Sequence, residues 1–232
     1  PMNRILPLAA ATVIVVVAAL WFTFGKEGPK PYMVAAANPY AAEAGADILA
    51  QGGSAVDAAI AVQAVLTLVE PESSGLAGGA FMLHWTPGGD KPDAYDGRET
   101  APAGATPDMF LGDDKTPLGI IPAILSGRSV GAPGAVALLA LAHKEHGHLP
   151  WAKLFDRAIE LSENGFTVSD KLAAAVARDP ALAMMPASQD YFFTTDASGK
   201  RVPVAAGTTL KNPLLAATLK IIAAEGADGF YK

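Results

Sequence analysis

Apolar residues open the chain in one unbroken block, from Ile5 to Phe24, that contains no charged side chain. A helix of about 20 apolar residues is long enough to cross the core of a bilayer. Trp21 and Phe22 lie near the end of this block, where an interfacial aromatic belt is expected. Because the block ends in bulky residues and no Ala-x-Ala site follows, an uncleaved membrane anchor is favoured over a cleaved signal peptide. Both interpretations predict that the remainder of the chain is exported, to the periplasm or the extracellular face.

A short polar linker follows the apolar block. Residues 25–31 contain two glycines and two prolines, which break any helix there. The pattern therefore divides the chain into residues 1–31, an anchor or signal segment with its linker, and residues 32–232, the folded part. The folded part opens with an apolar stretch from Tyr32 to Ala37 that predicts a short strand.

Beyond that stretch, apolar residues recur every three to four positions and predict six helices. The helices span Tyr40 to Gln51, Ala55 to about Val69, Ala135 to His146, Trp151 to Asn164, Lys171 to Arg178 and Pro213 to about Glu225. Gly52 and Gly53 end the first helix with a left-handed cap. Ser54 and Asp57 have the spacing of an N-terminal cap for the second, so Asp57 is interpreted as a cap partner and not as a catalytic acid. The second helix is apolar on almost every side and must be buried.

Two other runs predict strands on either side of a turn. Three glycines within residues 75–79 lead into an apolar strand that ends near Trp85. This glycine segment lacks the lysine of a phosphate-binding loop and precedes a strand, so phosphate binding is not expected. Ala94 and Tyr95 precede a polar segment that begins at Asp96. Residues 179–207 contain three prolines and are predicted to be irregular.

Composition narrows the possible functions. Of the 232 residues, 51% are hydrophobic and 17% are charged, and the net charge is −6 with the acidic residues dispersed. Without a basic stripe, no nucleic-acid partner is expected. The chain has no cysteine, which excludes disulfides, thiolate metal sites and a cysteine nucleophile. His143, His146 and His148 lie near one helix end, but no carboxylate or cysteine spacing supports zinc there. Neither a metal nor a cofactor is expected.

Candidate chemistry is concentrated at Arg98, which stands between Asp96 and Glu99 just after a predicted strand. The planar guanidinium pairs with a carboxylate through two parallel hydrogen bonds, so Arg98 is suited to anchor the free carboxylate of an amino-acid-like substrate. The alternative is a surface turn with local ion pairs, which are common and weak.

The order of the motifs along residues 32–232 resembles that of the γ-glutamyltranspeptidase family. The motifs are Gly52-Gly53-Ser54-Ala55-Val56-Asp57-Ala58-Ala59, Glu70-Pro71-Glu72-Ser73-Ser74-Gly75, Gly78-Gly79-Ala80-Phe81, Asp96-Gly97-Arg98-Glu99-Thr100-Ala101-Pro102, Gly131-Ala132-Pro133-Gly134, Gly147-His148-Leu149-Pro150-Trp151 and Gly226-Ala227-Asp228-Gly229-Phe230-Tyr231. Several independent motifs in order are more specific than any single glycine loop.

The resemblance implies an α+β fold of the N-terminal-nucleophile hydrolase type, an αββα sandwich, of which this chain would form an incomplete, helix-rich N-terminal portion. It implies a precursor that cleaves itself into two subunits, with a threonine at the start of the small subunit as nucleophile. That threonine attacks a γ-glutamyl compound such as glutathione, and water or an amino-acid amine resolves the acyl-enzyme. By the same resemblance, Arg98 holds the glutamyl α-carboxylate and Glu99 is a possible partner that orients Arg98.

One departure from the family pattern limits this expectation. The Thr-Thr-His cleavage motif is absent, because Thr194-Thr195 and Thr208-Thr209 are not followed by histidine. The chain is therefore expected to be the N-terminal part of a large subunit, truncated before the nucleophile and inactive alone. Two alternatives stay open: a related acylase that acts on β-lactam side chains or poly-γ-glutamate, and a non-catalytic membrane-tethered fragment.

Overall fold

The computed structural model describes residues 32–232. The predicted anchor, Ile5 to Phe24, and the linker at residues 25–31 lie outside this range. Among the described residues, no helix is both long enough and apolar enough to cross a membrane.

Two antiparallel helices form the centre of the core. Helix α1 (Pro39–Ala50) begins at Asn38, whose side chain accepts a hydrogen bond from the Tyr40 amide, and helix α2 (Ala55–Val69) begins at the capping box that Ser54 and Asp57 complete. The two helices approach closely at Gly45, where a Cβ atom would lie 2.7 Å from the Val62 side chain. The near-continuous apolar sequence of α2 is thus explained by burial on most sides, as predicted.

The segment before α1 differs from the sequence prediction. Residues 32–36 carry no strand. A strand requires a hydrogen-bonding partner, and an apolar stretch of this length does not supply one by itself. The Asn38 side chain then turns the chain directly into α1.

A two-stranded hairpin carries the next part of the chain. Strand β1 (Ala80–His84) pairs antiparallel with β2 (Asp93–Gly97), and the register places Met82 opposite Tyr95 and His84 opposite Asp93. Alternate residues point to opposite faces of a strand, so His84 and Asp93 share the face that carries Met82 and Tyr95. That face packs against a later helix, while the opposite face is exposed.

Helix α3 (Ile120–Leu125) is short and contains no buried residue. Helix α4 (Ala135–His146) starts after the Gly131–Gly134 segment and has the bounds that its apolar spacing predicts. It is the helix that packs against the inner face of the hairpin, through residues such as Leu138.

The predicted helix from Trp151 to Asn164 consists of two parts. Residues Trp151–Phe155 form a 3-10 helix, and α5 (Asp156–Asn164) follows. The Trp151 indole donates to the carbonyl of Ile222 at 2.8 Å, which anchors the 3-10 turn to a distant helix. This tertiary contact accounts for a break that apolar spacing could not indicate.

A glycine ends α5, and a short strand and a short helix follow it. Gly165 has a φ of 101°, after which β3 (Phe166–Thr167) pairs with β6 (Thr209–Leu210). Helix α6 (Asp170–Arg178) is capped by Ser169.

Residues 179–207 are more regular than their prolines predict. They contain a 3-10 helix, Leu182–Met184, then α7 (Pro186–Phe192) and a hairpin of β4 (Phe193–Thr195) with β5 (Arg201–Pro203). Pro186 begins a helix, a position that tolerates proline. The Asp196 carboxylate accepts the Ser198 amide at 2.8 Å and forms the turn of the hairpin. The prolines therefore lie at the ends of helices and strands and do not prevent these elements from forming.

Two helices close the described fold, α8 (Pro213–Glu225) and α9 (Asp228–Tyr231). Residues 32–232 are thus helix-rich α+β, with three two-stranded antiparallel sheets. One apolar core joins α1, α2, α4, α5, α6 and α8 through side chains such as Ile60, Leu139 and Leu219.

Candidate functional site

Arg98 directly follows Gly97, the last residue of β2. Its backbone amide donates to the Asp96 carboxylate at 2.9 Å, so Asp96 forms the tight turn that directs the chain out of the strand. The Arg98 side chain is 72% exposed. The local sequence therefore fixes the backbone at this position and leaves the guanidinium in solvent.

Glu99 lies between two glycine segments. A Cβ atom at Gly79 would overlap the Glu99 carboxylate, and one at Gly131 would lie 2.8 Å from the Glu99 Cβ. The Glu99 Oε2 atom lies 3.6 Å from the Arg98 Nε atom. The glycines leave room for Glu99, and its carboxylate is placed where it attracts the Arg98 guanidinium.

Backbone hydrogen bonds connect the segments that carry three of the sequence motifs. The amides of Gly134 and Ala135 donate to the Gly78 carbonyl at 3.1 and 3.0 Å. Thr100 and Ala132 exchange two further bonds, at 3.3 and 2.8 Å. The glycine-rich segment, the Arg98 segment and the start of α4 are therefore held together, although the first and the last of them are more than 50 residues apart in sequence.

Two open cavities border Arg98. One, of about 490 Å³, lies between the hairpin and α4. The other, of about 360 Å³, lies under the loop that follows Arg98. In the second cavity a further guanidinium, that of Arg128, donates to the carbonyls of Met109 and Leu111 at 2.9 and 3.1 Å and so holds the loop. Sequence reasoning did not single out Arg128, because its partners are backbone carbonyls that no side-chain pattern reveals.

A polar cluster occupies the far end of the hairpin from Arg98. The Tyr95 hydroxyl donates to the Glu145 carboxylate at 2.5 Å and lies 2.8 Å from His146 Nε2. Burial, together with the hydrogen bond to Glu145, raises the pKa of Tyr95 to about 12. The same His146 atom lies 3.4 Å from Asp93, and the His146 ring stacks on His84. His84 and Asp93 were not grouped with His146 from sequence, because they lie on the hairpin, more than 50 residues earlier.

His143 and His148, the other two histidines near the end of α4, have different surroundings. His143 Nε2 lies 2.9 Å from the Leu149 carbonyl and 3.6 Å from the Asp57 carboxylate. The His148 side chain is exposed, and its backbone amide donates to Asp57. The three histidines therefore do not converge on one point.

Asp57 is confirmed as a cap partner. Its Oδ2 atom accepts the amides of Ser54, His148 and Leu149 at 2.8, 2.9 and 3.0 Å. Burial alone would raise the pKa of this carboxyl, but the backbone hydrogen bonds and the nearby His143 outweigh burial and lower it. The charge of Asp57 thus joins the start of α2 to the loop before Trp151.

The chain is similar to proteins of known family and structure. The family model described as Gamma-glutamyltranspeptidase matches residues 41–232. The glutathione hydrolase proenzyme of Bacillus subtilis is 38% identical over 208 residues, which cover 90% of this chain and 34% of that protein. The chain therefore spans about a third of the length of the curated relatives that it matches.

Solved structures give the same result. The structure of Helicobacter pylori gamma-glutamyltranspeptidase superposes with a TM-score of 0.80 at 31% identity and covers 89% of this chain and 58% of its own. The structure of the transpeptidase enzyme CapD from Bacillus anthracis superposes with a TM-score of 0.68 at 36% identity, over 89% of this chain and 62% of its own.

Proposed function

The chain belongs to the γ-glutamyltranspeptidase family, and we propose that it forms the N-terminal part of the large subunit of a glutathione hydrolase and γ-glutamyltransferase. In this proposal residues 32–232 supply the binding site for the glutamyl α-carboxylate. The nucleophilic threonine belongs to a small subunit whose sequence lies outside these 232 residues. The chain alone is accordingly expected to be inactive.

The observation that carries the proposal is the position of Arg98. Its guanidinium is mostly exposed, borders two cavities and follows a strand end that Asp96 holds. A guanidinium in this position offers two parallel donors to a carboxylate without first breaking a buried ion pair. Glu99, 3.6 Å away, orients the guanidinium from the protein side.

Arg98 contributes binding and orientation to the reaction, and the acyl transfer takes place on other groups. Fixing the α-carboxylate places the γ-carbonyl at a defined distance from the nucleophile, which lowers the entropic part of the barrier. The threonine hydroxyl forms a bond to the γ-carbonyl carbon, the amine leaves with a proton, and water or an acceptor amine then releases the glutamyl group.

The small subunit is proposed to cover the outer face of the hairpin. We define this outer face as Phe81, Leu83 and the adjoining Trp85. These side chains are 67%, 74% and 56% exposed. Contiguous exposed apolar side chains are typical of an interaction surface. The αββα fold of the family requires further strands and a second sheet, and this face is suited to receive them. Export and membrane anchoring through Ile5 to Phe24 remain predictions from that segment.

The experiment that tests the proposal replaces Arg98 by alanine in the full-length protein that contains this chain. We expect KM for a γ-glutamyl anilide to rise about 10- to 100-fold, the loss that corresponds to one charged hydrogen-bonded contact. Arg157→Ala is the matched control, because Arg157 pairs with Glu160 one helical turn away on the surface of α5. An unchanged KM in the Arg98→Ala variant would contradict the carboxylate role.

A second candidate is an acylase or transpeptidase of the same fold, which the likeness to CapD favours. Its substrates, β-lactam side chains or poly-γ-glutamate, also carry carboxylates that Arg98 could bind. The two candidates are distinguished by comparing kcat/KM of the full-length protein for glutathione, a glutaryl β-lactam and poly-γ-glutamate. Preference for either of the last two would replace glutathione as the proposed substrate.

A further inference from the structure

Three metal-ligating side chains from different parts of the chain meet at the turn end of the hairpin, where residues 85–92 connect β1 to β2. His84 and Asp93 are cross-strand partners at the ends of β1 and β2. His146 is the last residue of α4, which packs against the same face. One ligand atom from each of the three residues lies within 4.8 Å of the other two. We propose that these residues form a binding site for a divalent transition-metal ion, with Zn²⁺ as the best match.

Two of the three separations between the donor atoms are close to those around a tetrahedral ion. Asp93 Oδ2 lies 3.4 Å from His146 Nε2 and 3.7 Å from His84 Nδ1. Bonds of about 2.0–2.1 Å from zinc to nitrogen or oxygen give ligand atoms about 3.3 Å apart in a tetrahedron. The observed separations are longer than normal hydrogen bonds and close to this value, so Asp93 stands where it can share an ion with each histidine.

The hydrogen bonding of the cluster leaves a donor or acceptor without a partner. His84 Nδ1 is buried and has no hydrogen-bond partner among the described residues. A buried polar atom without a partner costs free energy that a metal bond would recover. His146 Nε2, by contrast, contacts the Tyr95 hydroxyl at 2.8 Å. The ion would take the place of the proton on that nitrogen, and Tyr95 would keep Glu145 as its acceptor.

Ligand type and access also favour zinc. Two imidazoles and one carboxylate are a set that Zn²⁺ accepts, with a water in the fourth position. Asp93 is 52% exposed, so the site is open to solvent on one side. The stacked rings of His84 and His146, with centroids 3.9 Å apart, must turn for both lone pairs to converge on one ion.

A bound ion would link the hairpin to α4. The cluster lies at one end of the hairpin, and Arg98 follows β2 at the other end. Joining β1, β2 and the C-terminal residue of α4 through one ion would restrain the strand that carries Arg98. The cluster could bind an ion whether or not the protein carries out the proposed reaction.

The test measures Zn²⁺ binding to the full chain by competition with a chromophoric chelator. We expect one ion per chain and at least a roughly tenfold loss of affinity in both Asp93→Asn and His146→Ala. His148→Ala is the matched control, since His148 lies two residues away with an exposed side chain outside the cluster. Co²⁺ in place of Zn²⁺ should give the strong visible absorption of a tetrahedral site in the wild type and in His148→Ala only.

Thermal unfolding supplies a second readout. At a Zn²⁺ concentration of 100 times the wild-type dissociation constant, we expect the wild-type Tm to rise by about 5–10 °C and the Asp93→Asn Tm to rise by about half as much or less. Circular dichroism at 222 nm checks that each variant is folded, and the exposed position of Asp93 makes Asp93→Asn the safer variant.

Three results would overturn the proposal. They are the absence of stoichiometric binding by the wild type, equal binding by wild type and Asp93→Asn, and an equal loss in His148→Ala. The first would leave a hydrogen-bonded network of histidine and carboxylate without an ion, and the other two would indicate an adventitious ion only.

Discussion

At Asp57, a single carboxylate oxygen holds the start of one helix and a loop about 90 residues later in the sequence. The Ser54, His148 and Leu149 amides all donate to it. The local part of this arrangement, the cap of α2, follows from the spacing of Ser54 and Asp57. The two bonds from the loop do not, because no local pattern places His148 beside α2.

Replacing Asp57 by alanine is expected to lower the free energy of unfolding by about 3 kcal/mol, the upper end for hydrogen bonds to a charged group. Three backbone donors would lose their acceptor in a site where the side chain is fully buried. Urea denaturation at neutral pH measures the change. Asp113→Ala, at an exposed position, is the control and should change stability by less than about 0.5 kcal/mol. Equal effects of the two substitutions would contradict the role given to Asp57.

The surroundings of Glu70 predict that the stability of the fold depends on pH. Its side chain is buried and accepts hydrogen bonds from Asn38, at 3.1 Å, and from Lys171. Burial alone would raise the pKa of Glu70, but these bonds outweigh burial and lower it. A lowered pKa means that the folded state favours the charged carboxylate. The stabilisation is therefore fully present above the unfolded value, about 4.3, and is lost as the pH falls through the folded-state pKa.

We expect Glu70→Gln to be clearly less stable than the wild type near pH 7, and the difference to shrink as the pH falls below about 4. Urea midpoints measured across that range test this directly. Glu225→Gln, at an exposed helix end, should follow the wild type throughout. A difference between wild type and Glu70→Gln that stays constant with pH would show that packing, and not charge, stabilises Glu70.

At the scale of elements, local signals predicted the long helices well. Helices α1, α2, α4, α6 and α8 lie within one residue of the bounds that their apolar spacing and caps indicate. Two errors are at segments whose state depends on distant partners: residues 32–36 lack a partner strand, and Trp151–Phe155 is held in a 3-10 turn by Ile222. The third is at residues 179–207, where three prolines predict irregular structure but a helix and a local hairpin form.

Gly165 offers a test at this scale. It ends α5 with φ at 101° and ψ at 160°, a region that only glycine adopts readily. A Cβ atom there would lie 2.5 Å from the Thr209 side chain and 3.3 Å from the Leu210 carbonyl, in the strand that pairs with β3. We expect Gly165→Ala to destabilise the fold by about 1–3 kcal/mol.

Thermal or urea unfolding measures the effect of Gly165→Ala, with Gly104→Ala as the matched control. A Cβ atom at Gly104 would meet no heavy atom within 4 Å among residues 32–232 beyond its chain neighbours, so its substitution should be close to neutral. If both variants unfolded at the wild-type midpoint, the conformational requirement at Gly165 would be refuted.

For the molecule as a whole, the outer face of the hairpin is the feature that local sequence does not explain. Phe81 and Leu83 occupy the strand face that points away from α4, and both are mostly exposed. Burying such a face is the usual solution for an amphipathic sheet. The proposed partner subunit provides that cover.

Substituting Leu83 by serine in the full chain is expected to reduce self-association and the binding of a hydrophobic dye. The substitution removes exposed apolar area and no buried contact. Dye fluorescence and light scattering measure the two effects. Leu214→Ser is the control, because Leu214 is 81% exposed on α8, outside the hairpin. If Leu214→Ser reduced self-association as much as Leu83→Ser, the outer face of the hairpin would not be the surface that mediates self-association.

The sequence by itself determined the family, the long helices, the cap role of Asp57 and the placement of Arg98 after a strand. These follow from residues close together in the chain, whose spacing reports directly on helix faces, caps and turns. Only the tertiary structure decided that Glu99 sits between Gly79 and Gly131, and that His84 and Asp93 meet His146 and not His143 or His148. The reason is that these contacts join segments 20 to 60 residues apart, and packing of the hairpin against α4, which no local pattern encodes, brings them together.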